Sequence, residues 1–127
     1  MNEKQNPLKD KSFQFALKII KLYTFLSEQK REYVMSKQLL RSGTSIGANI
    51  REAQNAQSKA DFIHKLSISQ KECDETLYWL ELLHQSGFLE EKRIHNNPWG
   101  CQRAFKNAPK LHPNNKTKQT TFITHNS

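Results

Sequence analysis

Leu39-Leu40-Arg41-Ser42-Gly43-Thr44-Ser45-Ile46-Gly47-Ala48-Asn49-Ile50-Arg51-Glu52-Ala53 is the stretch on which the fold turns. Plotted at about 100° per residue, Leu39, Gly43, Ile46, Gly47, Ile50, Ala53 and Gln54 gather on one side. Lys37, Arg41, Thr44, Ala48, Arg51 and Asn55 gather on the other. This is the pattern of an amphipathic helix with two glycines on its apolar side. Each glycine costs about 1 kcal/mol relative to alanine in a helix interior, so the pair needs a compensating gain. Four residues apart on one face, Gly43 and Gly47 supply it by admitting a second helix close to the backbone, with Ile46 and Ile50 packing beside them. A phosphate-binding loop is the competing reading; it fails because no Gly-Lys-Ser/Thr follows and no strand precedes.

Working outward, the spacing predicts a first helix over about 12–29, capped by Ser12, with residues 1–11 as lead-in. Phe13, Ala16, Leu17, Ile20, Tyr23 and Leu26, with Phe15, Ile19 and Leu22 beside them, read as a broad buried stripe. The second helix is predicted over about 33–57. Ser58-Lys59-Ala60-Asp61 resembles a capping box that opens a third helix over 58–86, closed by Gly87. No alternating strand pattern and no long repeat occurs, so the class is all-α.

The chain has 127 residues and a net charge of +8. That is one domain's worth of sequence, and it holds no run apolar enough to span a membrane. All twelve acidic residues lie between Glu3 and Glu91, while seven bases follow from Lys92 onward. The basic excess therefore belongs to the tail, residues 92–127, and not to the helical body, residues 1–91. That tail is rich in Pro, Asn and Thr and reads as disordered. Cys73 and Cys101 have neither disulfide-framework nor zinc spacing, which fits a reducing cytoplasm. His64 and His84 match no metal motif, and no nucleophile–base pair stands out. No metal, cofactor, small-molecule substrate or enzymatic activity is implied.

Residues 36–53, Asp61-Phe62-Ile63-His64-Lys65-Leu66-Ser67-Ile68 and Glu75-Thr76-Leu77-Tyr78-Trp79-Leu80-Glu81-Leu82-Leu83 together resemble the bacterial family of 23S rRNA intervening-sequence proteins. The resemblance covers about 12–91. It implies an antiparallel, up-down four-helix bundle that assembles as a ring-like homopentamer. It also implies an association with nucleic acid, since relatives in diversity-generating retroelements bind nucleic acid and a reverse transcriptase. It carries over no catalytic residue. The family's fourth helix should begin near Leu89-Glu90-Glu91, where this chain instead has Pro98, Pro109 and Pro113, so that helix is absent or corrupted. Back-translated from Arg93 with freely chosen synonymous codons and read one nucleotide later, the tail gives an uninterrupted amphipathic string like the family's last helix. A frameshift is one account of the tail; a divergent native tail is the other.

The candidate nucleic-acid contacts are Lys37, Arg41, Arg51 and Asn55, opposite the packing face. A solvated helix face is the plainer reading of the same residues, and repetition around an oligomer would strengthen a weak patch. Tyr78 and Trp79 could stack on bases, but core or subunit-interface packing is the simpler role. The alternative function is a protein-interaction scaffold with no nucleic-acid role.

Overall fold

The structure, a computed structural model, describes residues 6–90. These form three helices, α1 (Pro7–Glu28), α2 (Met35–Gln54) and α3 (Lys59–Gln85), with no strand among the described residues. The fourth-helix and tail expectations for residues 92–127 lie outside the described residues.

α1 starts earlier than its apolar spacing suggests. Asn6 caps it, its Oδ1 accepting the Lys9 N–H at 3.0 Å, and Pro7 occupies the first turn, where a missing N–H costs nothing. Ser12 is therefore not the cap. It is buried in the second turn, its Oγ donating to the Lys9 carbonyl at 3.0 Å. At the far end Arg31 adopts φ 54°, the left-handed conformation that lets the chain reverse.

Glu32 then reaches forward to cap α2. One carboxylate oxygen accepts the N–H of Val34 and Met35 at 3.1 and 2.8 Å, and the other accepts that of Ser36 at 2.7 Å. Three of the four orphan donors of a helix start are thus satisfied by one side chain from outside the helix. α2 is shorter at both ends than its predicted span. α3 begins as expected, with Ser58 Oγ accepting the Asp61 N–H at 3.0 Å. Gly87, at φ 92°, closes it, and the Phe88 N–H turns back to the Leu83 carbonyl at 2.9 Å.

α2 is the central helix: α1 and α3 both pack on it and scarcely touch each other. Cross-helix partners run in opposite directions, 41 with 75, 42 with 76, 46 with 69 and 52 with 65, so α2 and α3 are antiparallel. Leu39, Ile46, Ile50 and Ala53 from α2 meet Phe15, Ile19 and Leu26 from α1 and Leu66, Cys73, Leu80 and Leu83 from α3 in one core. Leu89 folds back to join it.

The predicted apolar side of α2 needs one correction, because Gln54 is exposed. α1 needs a larger one. Its core line is Phe15, Ile19 and Leu26, while Phe13, Leu17 and Ile20 are 46%, 40% and 44% exposed. Apolar residues occupy both sides of this helix, and periodicity alone cannot say which side faces inward.

Candidate nucleic-acid interface

α2 positions every candidate contact. Its glycines set how closely α1 approaches. A Cβ added at Gly43 would lie 2.8 and 2.9 Å from the two γ-carbons of Ile19, a β-branched side chain with little freedom to move. One added at Gly47 would lie 3.2 Å from Ser12 Oγ. Ser12 and Gly47 are both small where they face each other, and the Ser12 backbone carbonyl also lies 3.5 Å from that added Cβ. Ile46 and Ile50 are buried beside these glycines.

On the opposite side, Lys37, Arg41, Arg51 and Asn55 are exposed along α2. From Lys37 to Arg51 the line runs about 21 Å at 1.5 Å per residue. The structure does not keep it as one free row. Arg41 leans toward α3, pairing with Glu72 at 3.4 Å and with Glu75. Arg51 leans the other way, its guanidinium 5.2 Å from the centroid of the Phe13 ring on α1. Asn55 Nδ2 turns back to the Arg51 carbonyl at 3.5 Å. Lys37 extends into solvent.

The Arg41 end is a small network. Glu75 also accepts the Trp79 indole N–H at 3.0 Å. Burial pushes the Glu75 carboxyl up, but hydrogen bonds from Arg41 and Trp79 and the Arg41 charge outweigh this and hold it below the usual carboxylate range. The hydrogen bond that Arg41 donates to Glu75, against some desolvation, correspondingly raises Arg41. Trp79 is half-buried and Tyr78 is exposed, their rings edge to face with centroids 5.2 Å apart. Tyr78 alone of this pair presents most of its ring to solvent.

Further along α3, crowding by neighbouring atoms pushes Asp74 above the ordinary aspartate value. Lys65 is raised by its hydrogen bond to Glu52, at 2.9 Å. Cys73 is buried and free, whereas His64 is exposed on the same helix, so the two do not converge. Among the described residues no three His, Cys, Asp or Glu side chains gather as a metal site, and no helix is long and apolar enough to cross a membrane.

Two functional features escape a reading by helical spacing. The Arg41–Glu72–Glu75 pairing joins residues 31 and 34 apart, beyond any local spacing rule. The α2–α3 seam also contains buried hydroxyls: Thr76 Oγ1 is hydrogen-bonded to Ser42 Oγ at 2.9 Å, and Ser69 Oγ donates to the Ile46 carbonyl at 2.8 Å. The only sequence signal for them is Ser and Thr recurring at core positions.

The family model described as 23S rRNA-intervening sequence protein matches residues 4–106. The match is longer at both ends than the stretch, about 12–91, that carries the resemblance by its residues, and it enters the first part of the basic tail. A crystal structure of a protein of unknown function from the S23 ribosomal protein family of Bacteroides thetaiotaomicron VPI-5482 is similar. The two chains are 52% identical with a TM-score of 0.75, over 78% of this chain and 92% of that one. No curated protein matches.

Proposed function

The chain belongs to the 23S rRNA-intervening sequence protein family, and on that premise we propose a non-enzymatic, self-assembling helical protein that binds RNA through the outer face of α2. The carrying observation is the charge of that face. α2 holds three bases, Lys37, Arg41 and Arg51, and one acid, Glu52, whose charge is met by Lys65. Lys37 and Arg51 on a rigid helix attract phosphates without reading bases, and the attraction weakens steeply as salt rises. Each protomer offers only a small patch, so useful affinity depends on several copies held together.

The test is fluorescence anisotropy of a labelled single-stranded RNA with the full chain, titrated across ionic strength. Binding should fall with salt, and Lys37→Ala should make the slope of log K against log salt shallower by about one for each phosphate that Lys37 neutralises. Salt-independent binding, or none, would remove RNA from the reading. A scaffold role is the second reading, and the Arg41 ion pairs favour it, since an arginine held by two glutamates has less to offer a phosphate. Under that reading Lys37→Ala changes nothing.

A further inference from the structure

An exposed apolar side chain standing singly needs no explanation, but Phe13 does not stand alone. It is 46% exposed on α1, and the Arg51 guanidinium of α2 lies 5.2 Å from its ring centroid. A cation at that distance is attracted to the negative face of the ring, and the contact fixes both side chains. Arg51 remains exposed. Ala48, three residues earlier on the same side of α2, is exposed too and adds only a methyl group there.

The charge at this spot suits an anion. Among the described residues no carboxylate pairs with Arg51, whereas Arg41 is held by Glu72 and Glu75. Glu52, next to Arg51 in sequence, is turned to Lys65. On α1, Lys9 and Asp10 lie one turn before Phe13. At about 100° per residue Lys9 falls on the Ser12 side of Phe13, toward α2, and Asp10 on the far side. Two bases thus stand on the α2 side of the ring. Tyr78 is more exposed, at 55%, but Asp74, Glu75 and Glu81 stand within one helical turn of it and repel a phosphate.

Resting on the RNA reading above, we propose that Phe13 and Arg51 form a stacking site for an unpaired base of single-stranded RNA. The guanidinium serves in two ways at once: its flat face stacks, and its edge N–H groups donate to a phosphate. Lys9 adds charge on the same side. Every base has a flat π-face, so the site takes any of the four without reading their edges. A duplex keeps its bases stacked on one another, out of reach of the ring, so the site selects single strands. Stacking also adds a contact that salt does not screen to one that it does.

Fluorescence anisotropy of the full chain with two strands of equal length tests this. One is a single-stranded RNA; the other carries abasic ribose units in place of its bases and has the same phosphate charge. At fixed salt the unaltered chain should bind the base-bearing strand about 10-fold more tightly. Phe13→Ala and Phe13→Leu should each lose about 10-fold on that strand and nothing on the abasic one, while Phe13→Trp should retain the preference. Leucine keeps apolar bulk beside α2, so a loss confined to the base-bearing strand marks the ring and not the fold. Salt-sensitive binding that is equal for the two strands would overturn the stacking site and leave the RNA reading standing. A Phe13→Leu loss shared by both strands, or a Phe13→Trp variant as weak as Phe13→Leu, would likewise overturn the site alone. Binding to neither strand would overturn the RNA reading and the site together.

Discussion

The two seams of α2 are built on different physics. Toward α1 the fit is one of shape: Ile19 lies against Gly43, and Ser12 against Gly47. Toward α3 it is also one of hydrogen bonds and charge. Thr76 meets Ser42, Ser69 meets the Ile46 carbonyl, Arg41 bridges Glu72 and Glu75, and Lys65 meets Glu52. A seam made by shape fails when volume is added. A seam made by polar groups fails when a partner is removed or a proton is added.

The largest effect is expected at the shape seam. Gly43→Val should destabilise the fold by about 3 kcal/mol, read from urea unfolding, because Ile19 cannot yield to the added carbons. Gly47→Ala is the sharpening control: the gain in helix propensity, about 1 kcal/mol, should offset a small shift of Ser12, leaving stability within about 0.5 kcal/mol. Equal destabilisation at both glycines would mean that the seam is not set by the Ile19 contact.

At the polar seam, Thr76→Val should cost about 1–2 kcal/mol by leaving Ser42 short of a partner in the core. The double variant with Ser42→Ala should cost less than the two single effects added together. A comparable effect, about 1–2 kcal/mol, is expected for Glu32→Ala, which strips the cap from α2 and so loosens both seams.

The smallest effect is the pH response. Glu75 is held below its ordinary value in the fold, so its contribution is present at neutral pH and is lost as pH falls through the range beneath the usual carboxylate pKa. The pair is partly exposed, so this should amount to less than about 1 kcal/mol. Thermal melts of the unaltered chain and Glu75→Gln between pH 7 and 3 should converge at the acid end. Parallel curves would show that Glu75 carries none of the acid sensitivity.

What sequence can reveal follows the same division. The glycine pair, the Ser58–Asp61 cap and the Gly87 stop are local signals, and each is legible within a few residues. The inward side of α1 is not, because Phe13, Leu17 and Ile20 are as apolar as the residues that do face the core. Only the position of α2 decides between the two lines. Ser12 resembles a cap because serine often is one; its burial depends on Gly47, which is distant in sequence. Glu32 lies two residues before the N-cap of α2, where short side chains are the usual capping signal, and a long one that folds forward gives no such cue. Arg41 reads as a free base because its glutamates sit on another helix. The candidate interface is thus legible as a line of residues, but not as a line whose middle member is already engaged.

The buried hydroxyls penalise misalignment of α2 and α3. A leucine seam tolerates sliding, since one apolar contact replaces another at nearly equal energy. Displacing α3 by one turn, about 5.4 Å, would take Ser69 from the Ile46 carbonyl and Thr76 from Ser42, leaving Thr76 only the Glu72 carbonyl of its own helix and Ser69 without its cross-helix acceptor. Misaligned hairpins formed early in folding would therefore gain compaction without gaining permanence. Only the native alignment lets the seam dry out, so water can serve as a proofreader of register before the core closes.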